Sequence, residues 1–305
     1  MLIIGENIHI ISPRVKEAIE GREAGYIQEL AARQVEAGAG ILDLNIGPQK
    51  KLGTEIMPWI VETVQEVVDV PLSLDTTNLA AMEAGLAVCK QRAMLNSASA
   101  DPERLDRVME LAARFKARVI SLTMGVEGIP TTTDGRVSIA MEALLPAAEA
   151  AGVPVEDVFL DPLVLTVTCN QDVAQVSVEA IRMFKMLADP PPTTVVGLSN
   201  VSNGCDPEAR PLINRAYLVM LMGAGLDSAI ADPLDAAQME WIRVVEQRDD
   251  STPMYRLVLA LHDATAAMEE LDESLVDGDP DQVALLKTYR MLQNRVIYAD
   301  SYLRI

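Results

Sequence analysis

Aromatic side chains make up only 4% of this 305-residue sequence. The hydrophobic half is therefore mostly Ala, Val, Leu, Ile and Met, a mix that suits helices packed on buried parallel strands better than a β-sandwich. Cysteine is scarce: Cys89, Cys169 and Cys205 are odd in number, widely spaced and form no C-x-x-C pair. That excludes a disulfide framework and a cysteine-rich zinc site, and the expectation is three inert, buried thiols. His9 and His262 are too few for a histidine-rich metal centre, so no metal is expected on this chain. Basic residues are in the minority, 25 against 45 acidic, giving a net charge of -20. Such a surface repels nucleic acid and anionic membranes over most of its area, while a few local donors can still hold an anionic small ligand. The longest apolar run, near Ala216 to Leu226, is too short to span a bilayer, and the start, Met1 to Asn7, lacks a basic region and a signal core. The expectation is a cytoplasmic protein with no nucleic-acid or membrane partner.

What is present is an alternation of short β-like runs and long amphipathic stretches. Strands are expected at Leu2–Ile8, Ile41–Ile46, Leu72–Asp75, Ala93–Asn96, Val119–Thr123, Val158–Leu163, Thr194–Leu198 and Asp227–Ala231. Between them apolar residues recur at helical spacing, as in Ile27, Leu30, Ala31 and Val35. Asp101-Pro102-Glu103 and Asp232-Pro233 read as a cap followed by a first-turn proline. Eight such units in about 250 residues fit an α/β fold of the (β/α)8 TIM-barrel type. An open doubly wound sheet would want a Gly-rich turn after the first strand, and Gly5-Glu6-Asn7-Ile8-His9 offers no G-x-G-x-x-G. After residue 247 the repeat breaks. A linker (Arg248 to Pro253), a helix (Met254–Leu271), a polar break (Val276 to Asp281) and a last helix (Gln282–Tyr298) are expected, all within a single domain spanning residues 1–305.

A barrel of this kind places its site at the C-terminal strand ends. Those ends carry Glu6 and Asn7, Asp43 and Asn45, Asp75, Asn96, Asp161, Gly197-Leu198-Ser199-Asn200, and Asp232. Carboxylates and carboxamides converge there, with few cations. A pterin ring suits such a lining, because one carboxylate accepts its 2-amino group and adjacent ring N–H together, and Asn amides serve its carbonyl and nitrogens. Gly197 lets backbone approach a flat ring. Each residue also has a plainer reading: Asp75 as a cap for the turn at Thr76-Thr77-Asn78, Asp161-Pro162 as a strand terminator, Asn96 as a partner for buried backbone. Both histidines read as structural.

The strings Leu2-Ile3-Ile4-Gly5-Glu6, Leu42-Asp43-Leu44-Asn45-Ile46-Gly47-Pro48, Leu74-Asp75-Thr76-Thr77-Asn78, Ala93-Met94-Leu95-Asn96-Ser97, Asp161-Pro162-Leu163, Lys185 to Pro190, Gly197 to Ser202 and Arg210 to Arg215 are jointly specific. With them the sequence resembles the methyltetrahydrofolate:corrinoid/iron–sulfur protein methyltransferases. These belong to the pterin-binding superfamily of dihydropteroate synthase and the folate domain of cobalamin-dependent methionine synthase. The likeness covers residues 1 to about 247 and returns in the last helix, so that about 248–281 looks like an insertion. The resemblance implies that Asp75, Asn96 and Asp161 hold the pterin. Gly197, Ser199 and Arg210 would add folate contacts, with Glu6, Asp43 and Asn45 in the pocket wall. Asn200 would reach N5 and act in catalysis with Asp75, Asn96 and Asp161. The substrate implied is methyltetrahydrofolate or tetrahydrofolate. The corrinoid (cobalamin) is carried by a partner, a corrinoid/iron–sulfur protein or another corrinoid protein, in one-carbon metabolism of the acetyl-CoA pathway. A homodimer is implied as well; the last helix, with Leu285, Leu286, Tyr289, Leu292, Val296 and Ile297 on one face, offers a surface for it or else closes the barrel.

Two alternatives keep the fold. One is the folate methyltransferase of an O- or N-demethylase system, taking methyl from a methyl-corrinoid protein to tetrahydrofolate. The other is a dihydropteroate synthase, which ejects pyrophosphate and wants cations that Ser199, Asn200, Ser202 and Asn203 do not supply. A folate-binding barrel without catalysis is the non-enzymatic reading.

Overall fold

The computed structural model describes residues 1–303. Eight parallel strands close into a barrel in sequence order: β1 (Leu2–His9), β2 (Ile41–Asn45), β3 (Leu72–Asp75), β4 (Met94–Ser99), β5 (Arg118–Leu122), β6 (Val158–Asp161), β7 (Thr193–Gly197) and β8 (Ser228–Ala231), the last pairing with the first. The (β/α)8 barrel is thus the fold, with every strand overlapping its expected position.

Helices fill the connections. α1 (Pro13–Glu20) and α2 (Ala24–Glu36) follow β1, and α3 (Gly53–Gln65), α4 (Leu79–Leu86) and α5 (Pro102–Phe115) follow β2 to β4. After β5 come α6 (Thr133–Ile139), a π-helical turn (Ala140–Leu144) and α7 (Leu145–Ala151). α8 (Val167–Asn170) and α9 (Ala174–Phe184) follow β6, α10 (Arg210–Gly223) follows β7, and α11 (Ala236–Gln247) follows β8. α12 (Pro253–Ala267), α13 (Pro280–Leu292) and α14 (Asp300–Leu303) complete the chain. Asp101 caps α5 by accepting from the Arg104 amide. The cap of α11 is Asp235, not Asp232, whose carboxylate accepts from the Leu234 amide and from Asn7 instead. Asn78 caps α4, so Asp75 is not needed there.

Side chains alternate across each strand, and this alternation builds the site's floor. Ile4, Ile41, Met94, Ile120, Phe159 and Val195 form a buried apolar cluster separate from those that pack the helices. Two residues onward from Ile4, Ile41, Met94 and Phe159 stand Glu6, Asp43, Asn96 and Asp161. The interior is therefore apolar below and polar at the mouth.

The C-terminal helices lie on α10. A Cβ at Gly223 would come 2.5 Å from the His262 carbonyl oxygen, so glycine permits α10 and α12 to approach this closely. α13 ends at Leu292 rather than near Tyr298, because Asn294 turns into the left-handed region (φ 55). The Gln171 side chain then takes the Met291 and Val296 carbonyls and the Tyr298 amide. Leu285, Leu286, Tyr289 and Leu292 are buried in the same cluster as Ile213, Tyr217 and Leu221 of α10. This face is covered within the chain, which removes it as a surface for a second copy; Ile297 lies beyond the helix and is 83% exposed. The thiols differ from expectation as well. Cys205 is buried, Cys89 partly so with its thiol pushed up to about 12 by burial, and Cys169 is exposed on the short helix α8. No helix among the described residues is long and apolar enough to cross a membrane.

Candidate active site

Strand register brings the polar residues of β2, β3 and β4 side by side, with Asp43 opposite Ser73, Asn45 opposite Asp75 and Asp75 opposite Asn96. Asp43 is buried and accepts from the Ser73 hydroxyl at 2.6 Å and from the Asn96 amide at 3.1 Å. Asn45 donates its amide to Asp75, and its own side-chain oxygen accepts from the Gly47 amide at 3.0 Å. Burial holds both carboxyls above their ordinary range, and the Asp43 charge raises Asp75 further. Arg104, from the first turn of α5, opposes this electrostatically. Its guanidinium is anchored on the carbonyls of Ser97 (2.7 Å) and Thr77 (3.0 Å), behind the β3 and β4 ends.

Asp161 ends β6, across from Leu122 of β5. Its carboxylate accepts from the Leu163 amide at 2.6 Å, closing a tight turn in which Leu163 has φ 68. Burial raises its pKa to about 7, against the opposing effects of that amide and of the Arg136 charge.

Glu6 takes the Ser199 hydroxyl at 2.5 Å, which joins β1 to the turn after β7. Its pKa rises to about 7 through burial and the nearby Asp232 and Asp43 carboxylates, while the Ser199 hydrogen bond and Arg210 act the other way. Arg210 opens α10, donates to the Ser202 hydroxyl at 3.3 Å, and acts electrostatically on Glu6 at the mouth. Leu198–Ser202 is a 3-10 turn. A Cβ at Gly197 would lie 2.9 Å from the Asn200 amide nitrogen, so the amide folds back over the bare backbone of that glycine. Asn200 itself is exposed at the rim.

All ten expected site residues thus stand at the barrel mouth. Ser73 and Asp232 join them without having been singled out as ligands, and Arg104 and Arg136 act on the carboxyls from the helix layer behind. Ser73 was findable, being on the inward face two residues before Asp75. Arg104 and Arg136 were not, since an arginine on an amphipathic helix reads as solvated. Chemically, the mouth offers buried acceptors poised near ionisation beside amide groups that both donate and accept. Residues 197–209 contain no lysine or arginine.

A model of the pterin-binding enzyme family matches residues 14–232. The chain belongs to the pterin-binding enzymes. Among relatives, a methylcorrinoid:tetrahydrofolate methyltransferase from Eubacterium limosum is 29% identical over 242 residues, 78% of this chain and 88% of that protein. A methionine synthase from Mycobacterium leprae is 30% identical over 240 residues, but this chain spans only 20% of its length. Solved structures of similar fold include dihydropteroate synthases. One from Thermus thermophilus has a TM-score of 0.58 at 23% identity, covering 81% of this chain and 93% of that one. One from Yersinia pestis has a TM-score of 0.59 at 16% identity, covering 81% and 94%. At these identities the structural likeness concerns the family's barrel alone.

Proposed function

We propose that this pterin-binding enzyme is a methyltransferase acting between the N5 position of a tetrahydrofolate and the cobalt of a corrinoid held by a partner protein. The observation that carries this reading is the composition of the mouth: carboxyls and carboxamides suited to a pterin, with no lysine at the β7 end where an anionic leaving group would need one. The names of the Eubacterium relative and of the methionine synthases support methyl transfer over pterin condensation.

In this reading Asp75 and Asp161 accept the ring's donors, Asn96 and Asn45 order the carboxylates, and Asn200 faces N5. With methyltetrahydrofolate as donor, the Co(I) electron pair attacks the methyl carbon. The N5–CH3 bond breaks as a Co–CH3 bond forms, and the nitrogen, taking up a proton from solvent, leaves neutral. The enzyme contributes positioning and hydrogen bonding at N5. The reverse reaction, methyl-Co(III) giving its methyl to N5, passes through the same site. The Eubacterium protein's name, which puts methylcorrinoid first, favours that direction for a demethylase-type partner; a corrinoid/iron–sulfur protein is the partner for the forward one.

A spectroscopic assay with methyltetrahydrofolate and free Co(I) cobalamin tests the proposal. Enzyme-dependent loss of Co(I) absorbance, matched by methyl-Co(III) formation, is expected. Absence of any transfer, together with condensation of a pterin pyrophosphate with p-aminobenzoate, would replace it by the synthase.

A further inference from the structure

Arg136 is a fully buried arginine in the helix layer. It sits on α6 behind β6, held by Nε to the Pro130 carbonyl at 3.0 Å and by one terminal nitrogen to the Ser177 hydroxyl at 2.7 Å. Its other terminal nitrogen is buried without a hydrogen-bond partner among the described residues. A guanidinium so placed is a poor choice for packing. An apolar side chain of like volume would avoid both the desolvation and the orphaned donor.

What the arginine does face is the underside of the Asp161 turn. The Ser177 hydroxyl that accepts from Arg136 in turn donates to the Leu163 carbonyl at 3.4 Å. The amide of that same Leu163 donates to the Asp161 carboxylate at 2.6 Å. A relay of contacts therefore links guanidinium and carboxylate by way of Leu163, whose carbonyl and amide lie on either side of its Cα; Tyr217 shares the Ser177 hydroxyl, and the Arg136 charge acts on Asp161 through space as well.

We propose that Arg136 is a positioning residue for Asp161, setting both the orientation and the negative charge of that carboxyl from outside the barrel. The inference rests on the pterin reading of the mouth, in which Asp161 must be ionised to accept two ring donors at once. Two neutral groups pack around the turn as well: Thr123 of the β5 end, on the Asp161 carbonyl, and Tyr217 of α10, whose buried hydroxyl is raised well above its usual range and bonds the Ala174 carbonyl.

The test is anaerobic fluorescence titration with tetrahydrofolate from pH 6 to pH 9, on wild type, Arg136→Met and Ser177→Ala. Glu6, Asp43 and Asp75 titrate in the same window, so the readout is the difference from wild type. Losing the charge should move the midpoint of binding upward in Arg136→Met. Affinity at pH 7 should fall about five-fold for the first unit of that movement and about tenfold for each further unit, and recover in part at pH 9. Ser177→Ala keeps the charge and breaks the relay, so it should weaken binding several-fold at every pH without moving the midpoint. A folded Arg136→Met with an unmoved midpoint overturns the proposal, whether or not its affinity drops. Should Arg136→Met not fold, wild-type affinity in Ser177→Ala overturns it. Failure of wild type to bind tetrahydrofolate would instead reject the pterin reading itself.

Discussion

Asp75 and Asp161 both end strands, β3 and β6, yet they are held differently. Asp75 is ordered by a side chain, Asn45, and Asp161 by a backbone amide, Leu163. In the proposed complex, truncating either would leave ring donors unpaired in a buried site, at a cost of about 1–3 kcal/mol or ~5- to 150-fold in affinity. Asp75→Ala and Asp161→Ala should each weaken methyltetrahydrofolate by this much in titration calorimetry; unchanged binding in both folded variants would remove the pterin from this pocket. Asn200 belongs to a different class, because it is exposed and rests over Gly197 rather than within the carboxylate cluster. If its amide meets N5 mainly as charge changes there, Asn200→Ala should lower the single-turnover rate ~10- to 1000-fold while affinity falls less. Near-normal turnover with reduced thermal stability would mark Asn200 as a shaper of the loop only.

At the scale of elements, the strands were legible as short apolar runs, several of which end in polar residues. β2 (Ile41–Asn45) is one of these. The helices' contributions to the site were not legible. Arg104 and Arg136 act through carbonyls and hydroxyls at turns, and no spacing in the sequence announces such a contact. The last helix was overextended because Val296 and Ile297 continue its apolar period past the left-handed Asn294, which periodicity does not register. α10 and α12 supply a test of packing. With the His262 carbonyl 2.5 Å from a built Cβ, and Thr265 Cβ at 3.0 Å, Gly223→Ala has to push the two helices apart. Overpacking of this kind costs about 1–3 kcal/mol, and a denaturant midpoint lowered accordingly is expected. A midpoint at or above the wild-type value would mean that α12 yields freely and is only loosely attached.

For the whole molecule, the raised carboxyls make an unusual contribution to stability. Glu6 and Asp161 stand near 7 when folded, and Asp43 and Asp75 are raised too, against ordinary values near 4 in the unfolded chain. The folded state therefore holds more protons between about pH 4 and pH 8, and its stability falls as pH rises through that window. The Tm of the ligand-free protein should be lower at pH 8 than at pH 5.5, with a smaller difference in Asp161→Asn. A Tm that climbs steadily over the same range in both proteins would show that these carboxyls ionise freely when folded. Bound tetrahydrofolate should narrow the difference, since its donors reward the ionised form, and its binding should release protons near neutrality.

The apolar floor of Ile4, Ile41, Met94, Ile120, Phe159 and Val195 gives the barrel a dead end. In the proposed reaction a folate on that floor has one doorway, and the corrinoid domain that delivers or collects the methyl group has to stand in it. Traffic is then last-in, first-out: the folate enters before the partner docks and is trapped until the partner leaves. Steady-state turnover should accordingly peak and then decline as partner concentration rises, with folate release, not methyl transfer, setting the pace on the declining side.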